Sequence, residues 1–118
     1  MTQALTIWHN PRCSKSRQTL ALLQEHGHAP TVVEYLKAPP TEAEIRAALT
    51  SLGLAAHDII RRTEAPYKDL GLSPQSPEPE LIAAMAAQPI LIGRPIVFGP
   101  GGAAIGRPPE AVLAVVRS

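Results

Sequence analysis

The chain has one cysteine in 118 residues, and that scarcity excludes several kinds of site. An internal disulfide and a multi-cysteine zinc site each need more than one thiol. Lys and Arg number 11 against 10 Asp and Glu, so the strongly basic balance typical of nucleic-acid-binding proteins is missing. The longest apolar runs, residues 81–87 and 111–116, are far too short to cross a bilayer. We therefore expect neither a nucleic-acid nor a membrane partner.

The N-terminus has neither a basic start nor a long apolar segment behind it. No secretory signal is expected, and a cytoplasmic location is predicted. The 13 prolines are spread along the chain and mark boundaries between elements. Because there is no internal repeat and no long linker, the sequence predicts a single domain over residues 1–118 with its own hydrophobic core.

Hydrophobic patterning predicts a β–α–β beginning. An apolar, partly β-branched run at residues 4–8 is typical of a buried strand. Apolar residues at helical spacing predict a helix from Ser14 to about His26, which Gly27 ends. A second strand is predicted at residues 31–36. A β–α–β beginning implies a parallel strand pair with a right-handed crossover.

The remainder of the chain is predicted to be a helical block, a hairpin and a last helix. A capping box at Thr41 and Glu44 begins the block. The predicted helical pieces are residues 41–52, 56–62, 67–70 and 79–87. The predicted strands are residues 90–92, 95–98 and 103–105, with a turn at residues 100–102 and a final helix beginning at residues 108–110.

These elements predict an α/β fold. The expected architecture is a thioredoxin-like mixed sheet of about four strands, with helices on both faces and a helical insertion at approximately residues 41–88. Pro95 begins a strand directly after Arg94, and it is a candidate for a cis peptide bond.

Cys13 lies between the first predicted strand and the first predicted helix. The unpaired amides of a helix N-terminus carry partial positive charge, which favours a thiolate over a thiol. Arg12, Lys15 and Arg17 add three positive charges within four residues, and His9 is near in sequence. A lone cysteine is more often an inert side chain in the core. Here its polar and cationic neighbours favour a reactive thiolate.

The same helix start is suited to binding an anion. Ser14 and Ser16 offer hydroxyl donors and Lys15 offers a cation, so a tetrahedral oxyanion placed there would meet the cysteine sulfur. Arginine forks match the edges of such oxyanions. Any single arginine is equally explained as a surface charge, but two of them occur in repeated Gly-Arg-Pro turns. The candidate arginines are Arg61, Arg62, Arg94 and Arg107.

Two familiar cysteine motifs are absent. Position 16, three after Cys13, is serine, so no Cys-x-x-Cys dithiol forms. Position 19, six after it, is threonine, so the phosphatase-type Cys-x5-Arg loop is missing. Redox chemistry at Cys13 must therefore use a thiol from another molecule.

Over nearly its whole length the chain resembles the glutaredoxin-coupled arsenate reductase family. The combination of His-Asn-Pro-x-Cys with Arg-Pro-Ile-Val is specific to that family. The matching segments are residues 7–17 (IWHNPRCSKSR), 60–62 (IRR), 65–67 (APY), 88–97 (QPILIGRPIV) and 105–110 (IGRPPE).

The resemblance implies reduction of arsenate to arsenite as part of arsenic detoxification, with glutathione as co-substrate and glutaredoxin as partner. It implies that Cys13 is the nucleophile that forms a covalent adduct with arsenic. No bound cofactor and no metal are expected. The catalytic arginines would be Arg61, Arg94 and Arg107. The thiolate-stabilising residues would be His9, Ser16 and Arg17, and the anion-binding residues would be Ser14 and Lys15.

Two alternatives remain open from the sequence. One is another glutathione-dependent thiol reaction on the same scaffold, which would need an activated Cys13 but fewer arginines. The other is a non-enzymatic regulator of the same superfamily. Such regulators typically carry a Cys-x-x-Cys switch, and Ser16 argues against that role here.

Overall fold

The computed structural model describes residues 5–93, 95–106 and 108–116. Backbone contacts divide the chain into two compact units. The first unit takes residues 1–38 and 94–118, and the second takes residues 39–93. The second unit spans the segment predicted to be a helical insertion, while the single-domain organisation stays a prediction.

The first unit is built on a four-stranded mixed sheet in the order β2-β1-β3-β4. Strand β1 pairs in parallel with β2, with Ile7 opposite Val32, and antiparallel with β3, with Ile7 opposite Val97. Strands β3 and β4 form an antiparallel hairpin. The α/β class and the mixed sheet are confirmed. The elements are β1 (Thr6–His9), α1 (Ser14–Glu25), β2 (Thr31–Glu34), β3 (Ile96–Gly99), β4 (Gly102–Ile105) and a 3-10 helix (Pro109–Ala114).

Helix α1 and the 3-10 helix cover one face of this sheet. Ile7 and Val97, which are register partners, point to that face and are fully buried. Their burial removes apolar surface from water, which is the main stabilising term in folding. On the opposite face Trp8 and Phe98 pack edge to face, with ring centroids 5.1 Å apart. The buried core cluster consists of Leu5, Ile7, Leu23, Val97, Val112 and Val115.

The second unit is helical and begins with the predicted capping box. Thr41 Oγ1 accepts from the amide of Glu44 at 3.1 Å, and Glu44 Oε1 accepts from the amide of Thr41 at 2.9 Å. Gly53 ends the first of these helices in the left-handed region, with φ of 69°, as a C-terminal glycine commonly does. The elements are α2 (Glu42–Leu52), α3 (Ala56–Ile59), α4 (Ala65–Asp69), α5 (Glu78–Ala87) and a 3-10 helix (Pro89–Leu91).

Three sequence predictions are corrected by the structure. The predicted strand at residues 90–92 is wrong, because Pro89 begins a 3-10 helix and only Ile92 forms an isolated bridge, to Ile60. Proline presets a helical φ and donates no ladder hydrogen bond, which favours the helical turn. The predicted helix at residues 56–62 ends at Ile59, because Ile60 is extended and forms that bridge. The last helix occurs where it is predicted, as a six-residue 3-10 helix. Strand β2 ends at Glu34, because its carbonyl accepts from the amides of Lys37 and Ala38 in a turn.

Two further observations bear on the sequence predictions. Within residues 5–93, 95–106 and 108–116, no helix is both long enough and apolar enough to span a membrane. Arg94 lies outside the described residues, so the cis bond before Pro95 stays a prediction.

Candidate active site

Cys13 is the N-cap residue of α1, as the position of the motif predicts. Its backbone is extended, with φ of −95° and ψ of 123°, and its side chain makes no capping hydrogen bond. The thiol is partly exposed. The first amides of an α-helix have no intrahelical acceptor, and they form the positive end of the helix dipole. The sulfur is therefore uncommitted at a helix end that favours negative charge.

The turn before Cys13 is held by its own hydrogen bonds. The carbonyl of Asn10 accepts from the amide of Cys13 at 3.0 Å, and Asn10 Oδ1 accepts from the amide of Arg12 at 3.0 Å. Arg17 reaches back from α1, and its Nη1 donates to the carbonyl of Pro11 at 2.9 Å. Three hydrogen bonds thus fix the backbone that presents the thiol. Asn10 was not among the predicted site residues, although an Asn-Pro pair is a recognised turn signal.

Ser16 joins the first turn of α1 to the end of β1. Its side chain is fully buried, and its Oγ accepts from the amide of Asn10 at 3.0 Å. The same oxygen lies 2.6 Å from Nδ1 of His9. A buried polar group without a hydrogen-bond partner destabilises a fold, and here the Ser16 hydroxyl is the partner of both the Asn10 amide and the His9 ring. We call His9, Asn10 and Ser16 the buried triad.

Burial of His9 lowers its pKa below the ordinary value of 6.5. Its side chain is only 6% exposed, and desolvation disfavours the imidazolium form. Glu34, the register partner of His9 on β2, acts in the opposite direction and raises this pKa, while Arg17 lowers it. The buried triad therefore holds a neutral imidazole at neutral pH.

This lowered pKa makes stability depend on pH. Below about pH 6.5 an unfolded chain protonates His9 more readily than the folded chain does, so the free energy of unfolding falls as the pH drops. Well above that pH His9 is neutral in both the folded and the unfolded chain, and it contributes no pH dependence to the free energy of unfolding. We expect His9→Asn, which keeps a polar group near the Nδ1 position but does not titrate, to lose part of this acid sensitivity. Urea unfolding from about pH 5 to about pH 8 measures it.

The control for this experiment is His26→Asn, since His26 is exposed on the surface at the end of α1. Identical pH profiles for the His9→Asn variant and the unmodified protein would contradict the assignment.

The other predicted residues close to Cys13 lie in the first turn of α1 and in the turn before it. Ser14, Lys15 and Arg17 lie exposed on the first turn of α1, and Arg12 lies exposed in the turn before it. An anion at this helix end would meet amides, hydroxyls and cations together. The structure therefore brings His9, Ser14, Lys15, Ser16 and Arg17 to the neighbourhood of Cys13 in one unit.

Two of the four candidate arginines lie among the described residues of the second unit. Arg61 belongs to the second unit, where its Nη1 lies 2.8 Å from Glu64 Oε2. The two side chains form an ion pair, and this nitrogen has no hydrogen-bond partner elsewhere in the described part of the chain. Arg62 is exposed, and its Nη2 donates to the carbonyl of His57 at 3.3 Å. Arg94 and Arg107 lie outside the described residues.

No described part of the chain gathers three or more His, Cys, Asp or Glu side chains in a way that could hold a metal ion. The site is thus defined by a partly exposed thiol, a helix start suited to anions and a buried triad that supports the intervening turn. Such a site is equipped for nucleophilic attack on a tetrahedral oxyanion.

Comparison with known proteins places this arrangement in a family. Residues 8–115 match the model of the ArsC family. The chain belongs to the ArsC family. Among its relatives, the arsenate reductase of Rhizobium meliloti (strain 1021) is 46% identical over 113 residues, which cover 95% of this chain and 81% of the relative.

Two further relatives match over almost their full lengths. The uncharacterized protein YfgD of Escherichia coli (strain K12) is 50% identical over 118 residues, covering 98% of this ArsC chain and 99% of the relative. The solved structure of an arsenate reductase from Vibrio cholerae superposes with a TM-score of 0.94 at 45% identity, covering 98% of this chain and 100% of that one. The ArsC fold is therefore shared from end to end.

Proposed function

We propose that this protein reduces arsenate to arsenite, with Cys13 as the nucleophile. The observation that carries the proposal is the uncommitted, partly exposed thiol at the N-terminus of α1. Relatives named arsenate reductase, at 46% identity, support arsenate as the oxyanion. The first-turn amides, the Ser14 hydroxyl and the Lys15 ammonium bind its oxygens.

The first step is formation of an adduct. The Cys13 thiolate attacks arsenic, a sulfur–arsenic bond forms, and one arsenic–oxygen bond breaks, so that the oxygen leaves as water after protonation. Arsenic remains pentavalent in this adduct. Amides aimed at the oxyanion stabilise the charge that develops during the attack.

The second stage moves two electrons onto arsenic. Glutathione attacks arsenic in the adduct, a second sulfur–arsenic bond forms, and a second oxygen leaves as water. A glutaredoxin thiol then attacks the glutathione sulfur to form a mixed disulfide, and the electron pair of the broken bond between that sulfur and arsenic reduces arsenic to the trivalent state. Water hydrolyses the remaining bond between Cys13 and arsenic, so that arsenite leaves and Cys13 returns to its thiol form. Each turnover converts arsenate, one glutathione and one glutaredoxin thiol into arsenite, one glutathione–glutaredoxin disulfide and water. Because the chain has only one cysteine, both oxidised thiols belong to other molecules. The cytoplasm, where thiols are kept reduced, suits this scheme.

Three arginines are proposed to act on arsenate. Arg61, Arg94 and Arg107 are assigned to binding arsenate and stabilising the products, because planar guanidinium forks match oxyanion edges. Arg62, the next residue, is exposed and is not assigned to arsenate binding, so it serves as the matched control for Arg61. We place His9, Ser16 and Arg17 in support of the thiolate and its turn.

A coupled assay tests this function. Arsenate-dependent NADPH consumption is expected when the protein is supplied with glutathione, glutaredoxin and glutathione reductase, and omission of any one is expected to stop it. Arg61→Ala should lower kcat/KM for arsenate by about tenfold or more, whereas Arg62→Ala should leave it within about twofold. A complete mixture with no arsenate-dependent rate contradicts the proposal.

The second candidate is transfer of glutathione to or from protein thiols. It is favoured by the partial exposure of Cys13, which suits a mixed disulfide as well as an arsenic adduct. The same protein would then turn over a glutathione mixed disulfide without arsenate, and Arg61→Ala would have no effect on that rate.

A further inference from the structure

A small recess opens beside the turn that precedes Cys13, with a volume of about 270 Å³. It lies where the parallel strands β1 and β2 end side by side, because His9 and Glu34 are register partners. We call it the Arg12–Lys37 recess. Its lining residues are His9, Asn10, Pro11, Arg12, Glu34, Leu36 and Lys37.

Charges of both signs line this recess around an apolar centre. Arg12 and Lys37 supply cations, and Glu34 supplies a carboxylate that lies 3.5 Å from the Lys37 ammonium. Leu36 and Pro11 supply the apolar part of the lining, and Leu36 is 36% exposed. The matching ligand carries two carboxylates, one ammonium and a short apolar stretch.

We infer that the Arg12–Lys37 recess binds glutathione, which has this pattern of groups. This inference rests on the proposed function and assigns the co-substrate its place. The γ-glutamyl ammonium faces Glu34, and the two carboxylates face Arg12 and Lys37. Leu36 covers the methylene groups of the γ-glutamyl arm.

The position of the recess fits the chemistry that glutathione must perform. Its thiol has to reach an adduct on Cys13 without occupying the anion site at the start of α1. Arg12 is the residue directly before Cys13, and the carbonyl of Asn10 is bonded to the amide of Cys13. Each residue of a tripeptide spans about 3.5 Å, so a tripeptide anchored at Arg12 is long enough for its central thiol to reach the neighbouring residue.

A second groove near the thiol is less suitable. It runs along α1 past Lys15 and is also lined by Glu25 and Glu110. Its charged side chains carry one excess negative charge, whereas those of the Arg12–Lys37 recess carry one excess positive charge while His9 is neutral. Glutathione is a net anion at neutral pH, so electrostatic complementarity favours the recess.

Binding of S-methylglutathione, which has no free thiol, tests the inference directly. In a titration of the 15N-labelled protein, amide shifts are expected at residues 10–12 and 34–37. Lys37→Glu should raise Kd by about threefold to tenfold, because it reverses one charge that faces a ligand carboxylate. Lys37 is 81% exposed, so the substitution leaves the fold intact. The matched control is Lys68→Glu, at an exposed lysine of α4, which should leave Kd within about twofold.

Kinetics provide a second readout. In the coupled assay Lys37→Glu should raise KM for glutathione and leave KM for arsenate unchanged. Shifts confined to the α1 groove, or an equal Kd in both lysine variants, would overturn the inference. If S-methylglutathione binds specifically in the recess but the protein shows no arsenate-dependent turnover, the proposed function is overturned and the recess remains a glutathione site.

Discussion

Cys13→Ser is expected to abolish arsenate-dependent turnover, with a loss of at least about a thousandfold in kcat. The serine hydroxyl is not ionised at neutral pH, and it is a far weaker nucleophile than a thiolate. The chain has no second cysteine that could replace Cys13. The coupled NADPH assay measures the loss.

The fold is expected to survive this substitution. The Cys13 side chain makes no capping hydrogen bond, and serine is a preferred N-cap residue. The urea midpoint of Cys13→Ser should therefore equal or exceed that of the unmodified protein. A correctly folded Cys13→Ser protein that still reduces arsenate would show that the nucleophile is misassigned.

Ser16→Ala is expected to destabilise the protein by about 2–4 kcal/mol. The substitution removes the acceptor of the Asn10 amide and the partner of His9 Nδ1, both of which are buried. A buried donor or acceptor left without its partner costs about 1–3 kcal/mol. Urea unfolding measures the change in free energy. Turnover should also fall, because the turn that presents Cys13 loses its buried hydrogen bond to α1.

Ser14→Ala is the matched control for stability. It also removes a serine hydroxyl, but two residues earlier in the chain and at an exposed position on the same helical turn. Its free energy of unfolding should stay within about 0.5 kcal/mol of the unmodified protein. If Ser16→Ala and Ser14→Ala unfold at the same urea concentration, the buried triad does not hold the turn.

Local signals explain which elements the sequence predicts well. The capping box at Thr41 and the glycine at position 53 act within a single helix, and both occur as predicted. The β–α–β beginning is predicted correctly because the spacing of its apolar residues changes clearly between strand and helix. Residues 89–92 are the opposite case. Their apolar run predicts a strand, but Pro89 starts a helical turn and only Ile92 meets a bridging partner.

The sequence by itself determined that one cysteine begins a helix among cations, because that placement depends only on residues close to Cys13. Only the tertiary structure decided that His9 is buried and neutral, and that the Ser16 hydroxyl contacts both the His9 ring and the Asn10 amide. Those contacts form because β1 turns back into α1, which brings residues six and seven positions apart into hydrogen-bond distance. The Arg12–Lys37 recess likewise depends on the parallel pairing of β1 with β2, which brings together two segments that lie far apart along the chain.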